Sequence, residues 1–189
     1  MTSEVVWPIA SVLAIFLARM AELATKRKTV RGTVRENLTF RLFMLAGVLM
    51  LVGGTAEWWW HGQPSSWPLL VAGWVVALAS FMIRRRAIAA LGQFWSLHVE
   101  IRENHQFVKS GPFRFVRHPT YFSMILELAA CGLILHAGFT MVVIALVFVP
   151  ALLLRVRLEE GALTEKFGDA YRAYQKSTPA IFPYKWPAH

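Results

Sequence analysis

Residues Pro119 to Glu160 read PTYFSMILELAACGLILHAGFTMVVIALVFVPALLLRVRLEE: two apolar runs, Pro119 to Leu135 and Phe139 to Leu154, joined only by His136, Ala137 and Gly138, then an abrupt return to charge. A connector this short folds the two runs back on each other as an antiparallel helical hairpin. The hairpin would return Arg155 and Glu159 to the level of the stretch before it, His105 to Tyr121, HQFVKSGPFRFVRHPTY, which is basic and rich in turn residues. Two polar clusters distant in sequence are therefore expected to share one end of a helical bundle.

Outward from the hairpin, the rest of the chain is of the same kind. Of 189 residues, 56% are hydrophobic and 16% charged, more apolar surface than a small soluble core hides. A membrane-spanning helix takes about 20 mostly apolar residues. Val5 to Ala24, Phe40 to Trp60 and Trp67 to Ile83 come close to that length. The chain thus reads as all-α, an integral membrane bundle of about five transmembrane helices. The last two runs are short, so they tilt little or stop before the far interface. Glu4 precedes the first run and Lys26-Arg27-Lys28 follows it, the reverse of a cleaved signal peptide, so the first segment reads as retained.

Basic residues set the orientation. Lys26 to Arg35, Arg84 to Arg117 and Arg155 to Lys185 lie after the first, third and fifth runs, whereas Glu57 to Trp67 and His136 to Gly138 contain no Lys or Arg. The positive-inside rule then puts the N-terminus outside and the C-terminus and both polar clusters in the cytoplasm. The same segregation accounts for the net charge of +9, which faces anionic membrane lipids and not nucleic acid. Trp58, Trp59, Trp60 and Trp67 bracket the outer loop, where indoles anchor at the headgroup layer. The single cysteine, Cys131, lies in an apolar run, which excludes an intrachain disulfide and a cysteine zinc site.

No linker, repeat or low-complexity tract divides the chain, so it reads as one compact unit. Residues 1–90 have the look of a three-helix transmembrane scaffold. Residues 91–189, hairpin included, mix polar and apolar groups beyond what a scaffold needs, and function is expected there.

Lys109-Ser110-Gly111-Pro112 predicts a tight turn. Pro119 suits the first turn of a helix, so the fourth helix is expected to begin at His118 or Pro119, its free N–H groups facing the cytoplasmic cluster. Arg117-His118-Pro119 reads either as part of a site or as an interfacial cap reaching lipid phosphates. Tyr121 offers an aromatic face and a hydroxyl, or an interface anchor. Arg155 and Glu159 share a helix face, in the order less favourable to simple helix stabilisation; a ligand role and an ordinary charged helix both fit. Pro150 should interrupt that helix. Phe167-Gly168-Asp169 reads as a stop and restart, and Tyr171, Tyr174, Phe182, Tyr184 and Trp186 as a tail packed over the site or against lipid. His98, His105 and His118 have no familiar zinc spacing and no Cys or carboxylate to complete a set, so no metal is expected. Glu127 is an acid within an apolar run and should face a partner or a cavity, either charged or protonated.

In this order the residues resemble the isoprenylcysteine carboxyl methyltransferase family, in a small microbial form. The resemblance spans roughly Leu91 to Pro183. It rests on His105-Gln106-Phe107-Val108, Gly111-Pro112-Phe113, Arg117-His118-Pro119-Thr120-Tyr121, Arg155 with Glu159-Glu160, and Phe167-Gly168-Asp169 followed by Tyr171 and Tyr174. It implies a membrane-embedded methyltransferase that uses S-adenosylmethionine in a cytoplasmic-facing pocket of the C-terminal half and acts on a lipophilic small-molecule or prenylated substrate. The implied cofactor contacts are His98, His105, Gln106, Phe107, Val108, Phe113, His118, Pro119, Thr120, Tyr121 and Glu159. Arg155 is implied to hold the substrate carboxylate, so that Arg155 and Glu159 form the catalytic pair. Two departures stand out: Phe113 where Tyr is common, and His98 where an amide side chain can occur.

A carboxylate acceptor is already nucleophilic and would need placement more than a base; a phenol, enol or thiol would need its proton removed, by Glu159 or His118. The rival readings are methylation of another lipophilic hydroxyl, thiol or amine; a nicotinamide-dependent membrane reductase, since sterol reductases resemble the Arg-His and Tyr-rich tail but carry more spans; and a non-enzymatic scaffold or small transporter.

Overall fold

In a computed structural model of the chain, residues 3–25, 33–34, 37–62, 66–95, 100–101 and 107–185 are described. Among them run five long helices, α1 (Ser3–Ala24), α2 (Leu38–His61), α3 (Trp67–Leu91), α4 (Pro119–Leu135) and α5 (Gly138–Phe167), and a short sixth, α6 (Asp169–Ser177). Two-residue strands, β1 (Thr33–Val34) and β2 (Glu100–Ile101), pair antiparallel but are too small to form a layer, so the architecture is helical, as expected. Four helices, α1, α2, α3 and α5, are long and apolar enough to cross a membrane. The fourth in sequence, α4, has 17 residues; at 1.5 Å per residue it is about 26 Å long, less than the ~30 Å hydrocarbon core.

Two helices outrun their apolar runs: α3 goes on past Ile83 through Arg84, Arg85 and Arg86 to Leu91, and α5 continues past Leu154 through the charged stretch, where Arg155 and Glu159 were expected on one helix face, to Phe167. The interruption expected at Pro150 is absent, because α5 is helical on both sides of it. A proline deletes one backbone N–H, and Phe148, Ala151 and Leu152, all buried around it, hold the helix in place. Arg155, Glu159 and Glu160 therefore stand on an unbroken helix of 30 residues that begins in the apolar run. Gly168, with φ of 53°, ends α5 and α6 restarts at once, since that backbone region suits a residue without Cβ.

Contacts at the two ends set α2 and α5 antiparallel. Glu57 near the end of α2 accepts the backbone N–H groups of Phe139 (2.9 Å) and Thr140 (2.7 Å) at the start of α5, an anion where the helix dipole favours one. Thr39, at the other end of α2, meets Arg155 of α5. The α4–α5 hairpin closes tightly, as predicted, through His136 in the left-handed region (φ 51°). Packing between α3 and α4 is close at Gly73, where an added Cβ would collide with Ile134 and lie 3.0 Å from the Ala130 carbonyl; small residues let helices approach in this way in lipid. The core joins Val12 and Ile15 of α1, Met50 of α2, Ile134 and Leu135 of α4, and Ile144 and Phe148 of α5.

One anchor is reassigned. Trp59, Trp60 and Trp67 are exposed, but Trp58 is only 5% exposed and belongs to the core. It follows Met50 and Gly54 at four-residue spacing on the inward face of α2, so helical period and not position beside the loop decides its place.

Candidate active site

The hairpin brings the two polar clusters together. His118 caps α4 and Pro119 occupies its first turn, which sets Tyr121 one turn inside the helix. The Tyr121 hydroxyl donates to Glu159 Oε2 at 2.6 Å and accepts from Arg155 Nε at 3.0 Å. Arg155 is 4% exposed, and its Nη1 donates to Thr39 Oγ1 at 3.2 Å. The His118 ring stacks on Tyr121, with centroids 5.4 Å apart and planes at 17°. Its Nδ1 lies 3.6 Å from Glu159 Oε2, while Nε2 is 3.0 Å from Glu160 Oε1. Because an ionised carboxylate only accepts, the latter contact puts a proton on Nε2.

Glu159 and Glu160 are neighbours with different surroundings. Glu160 is held on three sides: by Arg117 Nε at 2.8 Å and Nη2 at 2.7 Å, by His118, and by Gln175 Nε2 at 2.9 Å. Arg117 Nη1 donates in addition to the carbonyls of Gln175, at 2.9 Å, and Thr178. Two backbone bonds, Arg117 N–H to the Pro179 carbonyl (2.8 Å) and His118 N–H to the Ala180 carbonyl (2.9 Å), strap the segment after α6 across the start of α4. Arg117 thus stitches α5, α6 and the tail together from the wall of the adjoining cavity. The Glu159 side chain is 36% exposed and has room for a further donor.

Aromatic residues wall the same place. Phe107 packs on Phe167 (centroids 4.9 Å), Tyr171 (5.5 Å) and Tyr174 (5.8 Å), and the Tyr174 hydroxyl donates to the Phe113 carbonyl at 2.6 Å. Burial, followed by the charges of Glu160 and Glu159, pushes the Tyr171 hydroxyl well above its usual pKa, so it stays protonated. Phe182 and Tyr184 of the tail are exposed, with Phe182 leaning on Phe122 at 5.9 Å.

A single cavity joins these groups to an apolar wall. His118, Thr120, Tyr121, Arg155 and Glu159 give its lining polar groups, and Phe107, Val108 and Phe113, with Phe16, Met20, Phe43 and Met44 of α1 and α2, give it apolar surface. Pro119 is buried in the first turn of α4 and forms no part of that lining. His98, His105 and Gln106 lie outside the described residues, as does Trp186. Sequence reasoning did not single out Thr39, Arg19, Glu22 or Arg84, nor the contribution of α1 and α2 to the cavity. Thr39 carried no signal, whereas Arg84 and Glu22 were visible as charges within or at the edge of apolar helices.

The profile of the isoprenylcysteine carboxyl methyltransferase family matches residues 70–165. Uncharacterized protein YpbQ of Bacillus subtilis is 27% identical over 175 residues, covering 84% of this chain and 96% of that protein. Protein-S-isoprenylcysteine O-methyltransferase of Schizosaccharomyces pombe is 29% identical over 103 residues, 53% of this chain and 44% of the yeast protein. The solved structure of a eukaryotic intramembrane Ras methyltransferase, isoprenylcysteine carboxyl methyltransferase, aligns with a TM-score of 0.57 at 18% identity over 92% of this chain and 60% of that one. At that identity the likeness concerns the fold. This chain spans less than half of the yeast protein and three fifths of the solved one.

Proposed function

The chain belongs to the isoprenylcysteine carboxyl methyltransferase family, and on that basis we propose that it is an integral membrane methyltransferase that uses S-adenosylmethionine to methylate a lipophilic acceptor, with the carboxylate of an isoprenylcysteine-like molecule as the reference substrate. The observation that carries this reading is the one cavity in which Tyr121, Arg155 and Glu159 meet a wall of apolar side chains from α1 and α2. Such a cavity suits a polar donor and a greasy acceptor at once. The basic loops support a cytoplasmic face for it, with the N-terminus outside.

The residues present fit the cofactor. Phe107, Phe113, His118 and Tyr121 offer flat faces to an adenine and to a sulfonium cation, and the half-exposed Glu159 carboxylate offers an acceptor to hydroxyl or ammonium groups. Thr120 adds a hydroxyl to the lining and Val108 an apolar surface, Pro119 opens the helix that carries Thr120 and Tyr121, and His98, His105 and Gln106 are proposed as contacts on the family resemblance alone. S-adenosylmethionine, when bound, supplies an electrophilic methyl group on a sulfonium sulfur. The chain's part is placement and exclusion of water. Arg155 holds the acceptor carboxylate through its N–H donors. Tyr121 keeps the Arg155 and Glu159 side chains at fixed separation, and Thr39 braces the guanidinium from α2. For a hydroxyl, thiol or amine acceptor, Glu159 is the base that takes the proton. In this scheme residues 1–90 frame the lipid-facing wall and residues 91–189 carry the polar end. Titration of the purified protein with S-adenosylmethionine should show saturable binding; its absence would end the proposal.

A further inference from the structure

A second polar group lines the same cavity and has no part in that scheme. Arg84 of α3, 4% exposed, donates through Nε to Glu22 Oε2 of α1 at 2.5 Å and through Nη1 to Glu127 Oε2 of α4, and Arg19 Nη1 reaches Glu22 Oε2 at 3.2 Å. Arg19, Arg84 and Glu127 all face the cavity. In this cluster, among the described residues, two guanidinium groups meet two carboxylates. As a clamp between three helices it is no better than well-packed apolar residues of similar size, and ionisable groups at membrane depth mark sites more often than braces.

What the clamp leaves over is one oxygen. Glu127 is engaged through Oε2 alone; among the described residues Oε1 has no hydrogen-bond partner, and the side chain remains 17% exposed beside the cavity. An ionised carboxylate accepts and never donates. Along α4, Thr120, Tyr121, Met124, Glu127 and Leu128 form one stripe at helical spacing on the cavity wall. Glu127 lies six residues beyond Tyr121, about 9 Å further along the helix axis. A bare hydrocarbon chain laid along that stripe would cover Glu127 Oε1 without giving it a donor, which is unfavourable.

We infer that Glu127, held in place by Arg84, is a specificity-determining acceptor group, and that the molecule methylated here is an amphipathic lipid carrying a second polar group, a hydroxyl, phenol or N–H, placed to reach Glu127, about 9 Å along α4 beyond Tyr121. The inference rests on the methyltransferase reading and narrows its substrate class. Glu127→Gln tests it cleanly, because the carboxamide oxygen keeps the bond to Arg84 while the exposed atom turns from acceptor to donor.

The experiment incubates the wild type and Glu127→Gln with radiolabelled S-adenosylmethionine and a membrane lipid extract of the native host, and identifies the labelled product by tandem mass spectrometry before and after acetylation. The expected product bears an acetylatable group besides the methylated one. The variant should raise KM for that acceptor by about tenfold or more with cofactor affinity unchanged. A labelled product with no second donor group would overturn the inference. So would a variant whose acceptor KM stays at the wild-type value while only its thermal stability falls, as a plain clamp would give. Absence of cofactor binding in the wild type would sink the methyltransferase reading itself, whereas normal binding with either of those two results sinks this inference alone.

Discussion

Tyr121 on α4 and Glu159 on α5, 38 residues apart, are joined by a 2.6 Å hydrogen bond from the phenol to the carboxylate. Since the same hydroxyl accepts from Arg155, it sets the spacing between the guanidinium and the carboxylate at the polar end of the cavity.

Tyr121→Phe keeps the aromatic surface that stacks on His118 but removes the shared partner of Arg155 and Glu159. Losing one hydrogen bond to a buried charged group costs about 1–3 kcal/mol, so kcat/KM in a labelled-methyl assay should fall by roughly ten- to a hundredfold. Circular dichroism of the variant in detergent should match the wild type.

Arg155→Ala and Glu159→Ala should separate binding from transfer. The first is expected to impair use of the acceptor more than cofactor affinity, and the second to weaken cofactor binding directly. Calorimetric titration with S-adenosylmethionine, set beside steady-state kinetics, reads the two effects. Equal and small losses from both would make the pair an ordinary charged helix.

Glu160 is part of the frame, because Arg117, His118 and Gln175 occupy it. A double-mutant cycle of Arg117→Ala and Glu160→Ala should return a coupling of about 0.5–3 kcal/mol in stability, measured by denaturation in detergent. Additive losses would show that the tail is fastened by its backbone bonds alone.

Glu57 caps α5 at the opposite end of the bundle from the cavity's polar groups. Glu57→Ala should lower the melting temperature by removing roughly 1 kcal/mol of helix-terminus stabilisation, with cofactor affinity untouched. A change in affinity would mean that the two ends of the bundle are coupled through α2 and α5.

Much of the site was legible because its residues sit where the chain changes character. Arg117-His118-Pro119 stands at the entry to the hairpin and Arg155 with Glu159 at its exit, so a three-residue connector was enough to pair them. Thr39 was illegible: a threonine at the start of an apolar helix is unremarkable until α2 packs on α5 and places its hydroxyl 3.2 Å from Arg155. Pro150 misled, since the loss of one N–H is a local penalty and the packing around Phe148 and Leu152 is not visible in sequence. Trp58 misled for a similar reason, because its place beside the outer loop outweighed its position in the Met50, Gly54, Trp58 stripe.

The sequence by itself determined that the chain is a helical membrane bundle, that its last two long helices form a hairpin, and that its polar residues gather at one end; these follow from hydropathy, connector length and the placement of charge, which are properties of the chain read in order. Only the tertiary structure decided that Glu160 fastens while Glu159 stays open, that α1 and α2 supply the greasy wall, and that Arg84 joins Glu22 to Glu127. Those outcomes depend on which side chains meet across helices, and adjacent carboxylates on one helix differ by about 100° in direction, so only the packing of neighbours tells them apart.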